Sequence, residues 1–91
     1  MGELKKEFTV INRLGLHARA SAELVKLTNQ FSARVTLSKG SMTVDGKSIL
    51  GIMSLAAGMG TEITVYCEGQ DCNEAMAAIG DLIANFFGEG E

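Results

Sequence analysis

Alternation is the first strong signal along the chain. Between Leu4 and Ile11, apolar Phe8 and Val10 alternate with polar Glu7 and Thr9, a period of two that predicts a β-strand. Asn12-Arg13-Leu14-Gly15 follows as a polar turn. From Ala18 to about Asn29 the period changes. Ala20, Leu24, Leu27 and Phe31 fall on one apolar stripe of a helix, and Arg19, Glu23 and Lys26 take the opposite side. Ala33, Val35 and Leu37 then alternate with Arg34, Thr36 and Ser38 in a second strand. Lys39-Gly40-Ser41 turns the chain into a short third strand, Met42-Thr43-Val44, so these two runs should pair as a hairpin.

After the turn at Asp45-Gly46, Ser48 stands where its hydroxyl can cap a short helix running through Leu55. The apolar members of that helix are Ile49, Leu50, Ile52 and Met53, and Gly58-Met59-Gly60 closes the segment. Ile63, Val65 and Cys67 alternate with Thr64 and Tyr66 in a fourth strand. Asp71, three residues before Glu74, suits the capped start of a last helix. That helix carries Ala75, Met76, Ile79, Leu82, Ile83 and Phe86 at helical spacing. Gly80 interrupts it at a cost of about 1 kcal/mol relative to Ala, which points to close packing on the sheet. The tail Gly88-Glu89-Gly90-Glu91 is expected to fray.

The resulting order, β-α-β-β-α-β-α, places the chain in the α+β class. One four-stranded sheet with helices on one face and solvent on the other buries every stripe. Ninety-one residues make one domain, 1–91, able to bury roughly 60–65% of its unfolded surface. A net charge of −3 lacks the basic footprint of a nucleic-acid binder. With 5% aromatics and no Trp, base stacking has little to stand on; Tyr66 is the only candidate on the open sheet face. Cys67 and Cys72 are expected to be reduced thiols, and a single histidine leaves no metal site. With no signal segment and no stretch able to span a bilayer, the expectation is a cytoplasmic protein. Gly46-Lys47-Ser48 resembles the end of a nucleotide-binding loop, but Ser41 stands where that loop needs its first glycine.

The candidate chemistry centres on His17, directly after Gly15-Leu16 and directly before the first helix. A helix start offers unpaired N–H groups and the positive end of the dipole. Both disfavour a charged imidazolium and suit an anion carried on the ring. Arg19 adds a guanidinium fork matched to phosphate oxygens, and Gly15 permits close approach of backbone. No second general base is evident nearby, so the pattern suits a histidine that takes a phosphoryl group and passes it on rather than one that hydrolyses it.

Gly15-Leu16-His17-Ala18-Arg19, followed by Lys47-Ser48-Ile49-Leu50-Gly51-Ile52-Met53-Ser54-Leu55, resembles the HPr family of the bacterial phosphoenolpyruvate-dependent phosphotransferase system. The likeness extends over essentially the whole chain. It implies an open-faced β-sandwich with an antiparallel sheet. It also implies a covalent shuttle without turnover of its own and without a cofactor. His17 would be phosphorylated on Nδ1 by enzyme I and would hand the group to an enzyme IIA-type acceptor, with Arg19 countering the charge. Ser48 would be the regulatory serine of an HPr kinase/phosphorylase, and its phosphate would disfavour an acidic partner. Leu16, Ile49, Leu50 and Met53 would form an apolar docking patch on a protein expected to act as a monomer. Ala20-Ser21 departs from the family's usual Pro-Ala, which leaves open whether the output is sugar transport or regulation. The competing reading is a small non-enzymatic regulatory binding domain in which His17 is only structural.

Overall fold

The computed structural model describes residues 2–91. Its elements are β1 (Gly2–Thr9), α1 (Ala18–Thr28), β2 (Arg34–Lys39), β3 (Met42–Asp45), α2 (Ile49–Ser54), β4 (Glu62–Gly69) and α3 (Cys72–Ala84), closed by a single 3-10 turn at Phe86–Gly88. The four strands form one antiparallel sheet in the order β1-β4-β2-β3. The expected hairpin is present, with Lys39 opposite Met42.

Register follows the apolar alternation. On β4, Ile63, Val65 and Cys67 face inward; Ile63 pairs with Phe8, Cys67 with Leu4 and Val35, and Val65 with Leu37. All three helices lie over this face. Leu24 of α1, Ile52 of α2 and Met76 and Ile79 of α3 meet Val35, Leu37 and Val65 in one core. Full burial of each large apolar side chain is worth roughly 1.5–3 kcal/mol. The other face carries Thr36, Thr64 and Tyr66, whose hydroxyl donates to Glu3 at 3.0 Å. Gly80 meets the Phe8 ring, where a Cβ would come within 3.3 Å, so the glycine makes room for close helix–sheet packing. Both cysteines are free and buried, and burial pushes the Cys67 thiol up from its ordinary pKa. Among the described residues no helix is long and apolar enough to cross a membrane.

Three expectations about the last third of the chain are corrected. Asp71 precedes α3, but its carboxylate does not cap that helix. It accepts the backbone N–H groups of Ser32 and Ala33 at 2.8 Å each. The apolar stripe of α3 does not run on to Phe86. The helix ends at Ala84, Phe86 and Phe87 both take left-handed backbone angles (φ 57° and 55°), and Phe87 rather than Phe86 is buried. The reversal folds the tail back over the molecule. Gly88-Glu89-Gly90-Glu91 is therefore not frayed: the N–H of Arg13 donates to the carbonyl of Glu91 at 3.1 Å.

Candidate functional site

The loop from Asn12 to Leu16 sets the start of α1. Gly15 has φ +69°, and a Cβ there would lie 2.5 Å from the carbonyl oxygen of Ala57. Only glycine allows the loop to lie this close to the 57–58 backbone. The next N–H, that of Leu16, donates to the same Ala57 oxygen at 2.9 Å. Ser21, buried in α1, donates its hydroxyl to the Leu16 carbonyl at 3.1 Å and fastens the loop from the helix side.

His17 is held at the N-cap of α1 in extended conformation (φ −75°, ψ −176°), and its carbonyl accepts the N–H of Ser21 at 2.9 Å. The N–H groups of Ala18, Arg19 and Ala20 precede the first intrahelical donor, the N–H of Ser21, and the His17 ring does not cap them. They are the donors expected from the sequence. Ala20 contributes one that a proline at its position would lack. The His17 side chain is 30% exposed.

The ring's Nε2 lies 2.5 Å from Oε2 of Glu89, 72 residues away in the chain. The second carboxylate oxygen accepts Asn12 Nδ2 at 3.0 Å, and the same Nδ2 donates to the Gly15 carbonyl at 2.8 Å. Asn12 is fully buried, and its Oδ1 has no partner among the described residues. The Glu89 side chain is only 9% exposed. Burial alone would push the Glu89 carboxyl up. The hydrogen bonds from Asn12 and His17, joined by the charges of His17 and Arg19, outweigh it and hold this carboxyl below the ordinary value. Glu91 lies 3.6 Å from the Arg13 guanidinium, with both side chains mostly in solvent. Arg13, Leu14, His17, Arg19, Glu89 and Glu91 together line a cavity of ≈ 200 Å³.

Arg19 is exposed and borders this cavity beside His17, as the sequence spacing suggests. The expectation that no second acid–base group accompanies His17 is corrected: the Glu89 carboxylate is on its ring. Sequence reasoning also missed Asn12. The signal that could have found Glu89 is the Phe86-Phe87 pair just before it, since a buried aromatic near the terminus ties down whatever follows.

Ser48 is the N-cap of α2, and its hydroxyl accepts the Gly51 N–H at 2.9 Å. At the other end of α2, Lys39 Nζ donates to the Leu55 carbonyl at 2.7 Å, where a cation also complements the helix dipole. Ile49, Leu50 and Met53 are exposed, Leu50 at 80%. Met53 shares a shallow depression with Leu14 and His17, which makes the apolar surface of α2 continuous with the histidine. Leu16 borders the same depression, but its side chain is buried in the core beneath the loop at 4% exposure, so it offers a docking partner far less surface than the expected patch implies.

Comparison with known proteins gives a consistent result. Residues 4–85 match the family model described as PTS HPr component phosphorylation site. The phosphocarrier protein HPr of Cupriavidus necator is 52% identical over 88 residues, covering 97% of this chain and 99% of the relative. The phosphocarrier protein HPr of Neisseria meningitidis serogroup B is 49% identical, with the same coverage. Among solved structures, an HPr from Thermoanaerobacter tengcongensis superposes with a TM-score of 0.88 at 39% identity, covering 98% of both chains. With its sheet order, its helix-start histidine and these relatives in agreement, the chain belongs to the HPr family of phosphocarrier proteins of the phosphotransferase system.

Proposed function

We propose that His17 is the phosphoryl acceptor of this phosphocarrier, loaded on Nδ1 by enzyme I and unloaded to a histidine of an enzyme IIA-type protein in the bacterial cytoplasm. One observation carries the reading: a partly exposed imidazole seated where α1 begins, beside the N–H groups of residues 18–20 and the guanidinium of Arg19. A dianion on this ring faces hydrogen-bond donors and the positive end of the helix dipole. Arg19 opposes its charge from the cavity wall. Nε2 is engaged by Glu89, and Nδ1 is the nitrogen left for phosphorus. Ile49, Leu50 and Met53 supply the apolar surface on which enzyme I and the acceptor dock in turn. An unbranched methionine there suits a surface that serves several partners. The protein acts as a monomer, and Ser48 is its regulatory phosphorylation site.

The test is mass spectrometry after incubation with enzyme I, Mg²⁺ and phosphoenolpyruvate. One added phosphoryl group is expected, stable in base and lost in acid, and absent from His17→Ala. No adduct with a competent enzyme I would leave His17 a structural residue of a binding domain.

A further inference from the structure

The Glu89 carboxylate is the most buried charged group at the site, and three independent features hold it there. Asn12 Nδ2 grips one of its oxygens, the His17 ring takes the other, and the buried Phe87 two residues earlier anchors the segment. The Arg13 N–H bond to the Glu91 carbonyl closes the tail beyond it. Such a contact is more than a solvated terminus falling on a basic surface. Burying a carboxylate costs free energy unless it is paired and hydrogen-bonded, and here both oxygens are used.

An ionised carboxylate can only accept. The proton on the 2.5 Å contact therefore belongs to Nε2 of the ring. In a neutral imidazole this assigns the lone pair to Nδ1.

We propose that Glu89 is a positioning residue for phosphoryl transfer at His17: it fixes ring orientation and tautomer so that Nδ1 is the nucleophile, and it faces the ring's positive charge while the phosphoryl group is carried. The proposal rests on the phosphocarrier reading above. In the loading step the Nδ1 lone pair forms the N–P bond. The bond from phosphorus to the donor's leaving atom breaks, and its electron pair departs with the donor. The ring keeps its Nε2 proton and becomes a phosphoimidazolium, with its cationic edge against Glu89. In the unloading step the N–P pair returns to Nδ1 and a neutral imidazole leaves. No proton has to move in either direction. The other charged groups around the ring are Arg13 from the β1–α1 loop, Arg19 from α1 and Glu91 from the tail. Of the two acids, only Glu89 touches the imidazole.

The experiment compares wild type with Glu89→Ala and Glu89→Asp in single-turnover transfer from phosphorylated enzyme I, across a range of enzyme concentrations. In parallel, ¹⁵N-resolved NMR observes the ring nitrogens of the unphosphorylated proteins above the pH at which the ring is neutral. Glu89→Ala is expected to lower the maximal rate by about ten- to a hundredfold, the scale of losses from a mispositioned reacting group. Half-saturation should change less than twofold, and the protected Nε2–H signal should be lost. Glu89→Asp should recover part of both, since Gly88 and Gly90 let the tail adjust. Glu89 lies beyond the last helix, and unchanged backbone amide spectra would show the fold intact. A Glu89→Ala protein that transfers at the wild-type rate or faster, or that loses only affinity for enzyme I, overturns the proposal. Either result would make the tail a cover or a docking element instead. Wild type that gains no phosphoryl group at all overturns the phosphocarrier reading and this proposal with it.

Discussion

Asp71 and Ala33, 38 residues apart in sequence, are joined by a hydrogen bond of 2.8 Å from the Ala33 N–H to the Asp71 carboxylate. The neighbouring Ser32 N–H reaches the other oxygen at the same distance. The carboxylate ties the turn after α1 to the start of α3 and satisfies two loop donors that no strand or helix would reach. The bond from Ser32 outweighs the opposing effect of desolvation and, joined by the bond from Ala33, holds the Asp71 carboxyl below its ordinary value.

The sign of the resulting pH dependence follows from linkage. A carboxyl whose pKa is lower folded than unfolded stabilises the fold above its unfolded value. That contribution disappears as pH falls through the folded one. Asp71→Asn is therefore expected to have a lower urea midpoint than wild type at pH 7, with the gap closing in acid below the folded-state pKa. Urea titrations at neutral and acid pH measure this. A gap that persists unchanged in acid would mean that the ionised carboxylate is not what the loop uses.

Asp71 shows what patterning can and cannot reveal. Ile63, Val65 and Cys67 alternate because each side of a strand meets a different medium, so the sheet was legible residue by residue. The stripe Ala20, Leu24, Leu27 was legible for the same reason. His17 could be read because the helix start that gives it donors lies beside it in sequence. Asp71 could serve either its own helix or a distant loop, and the local pattern is the same in both cases. Which phenylalanine is buried depends on left-handed backbone at residues 86 and 87, and this breaks the 3.6 period where α3 ends. Leu16 and Leu14 look equivalent in the sequence. The turn at Gly15 sends Leu16 inward and leaves Leu14 at 67% exposure. The contact between Glu89 and His17 spans 72 residues and has no local signature.

Gly15 sets the approach of the loop to His17, and its substitution tests how closely that loop must lie. In Gly15→Ala a Cβ would stand 2.5 Å from the Ala57 oxygen and 2.7 Å from Gly58 Cα, both backbone atoms that cannot rotate away. The left-handed φ adds about 1–2 kcal/mol for a non-glycine residue. The variant is expected to lose at least about 2 kcal/mol of stability, given strain and steric overlap together. Its phosphoryl acceptance should also slow, because the loop cannot relax without moving the start of α1. Denaturation and loading kinetics on the same preparation check both parts. Full stability would mean that the 57–58 backbone yields.

Ala56 presents the opposite case. It has φ 50° immediately after the C-cap Leu55 of α2, its N–H donates to the Met53 carbonyl at 3.0 Å, and its side chain is exposed. This is the position where helices usually place glycine. Ala56→Gly removes about 1–2 kcal/mol of left-handed strain and adds unfolded-state entropy worth roughly 0.5–1 kcal/mol. No core contact is lost. A net gain of up to about 1.5 kcal/mol is expected, the difference of those two effects. It should appear as a higher urea midpoint with unchanged slope. A lower midpoint would show that the methyl group makes a contact worth more than the strain.

Ser48 separates a structural role from a regulatory one, because two substitutions alter them independently. Ser48→Ala leaves the Gly51 N–H without its 2.9 Å acceptor and should cost about 1 kcal/mol, the usual value of an N-cap. Ser48→Asp keeps an acceptor at the cap and places negative charge where the helix dipole favours it, so its stability should stay within about 0.5 kcal/mol of wild type. The same charge stands at the edge of the exposed surface formed by Ile49, Leu50 and Met53. It should repel an acidic partner face, and like charges brought together at an interface cost enough to slow loading by enzyme I about tenfold. Raising the salt concentration should shrink that deficit, since exposed charges are screened over about 8–10 Å. Ser48→Ala, with no added charge, should load at the wild-type rate once its lower stability is allowed for. If Ser48→Asp also loads at the wild-type rate, charge at this cap does not govern access to His17, and Ser48 is a helix cap alone.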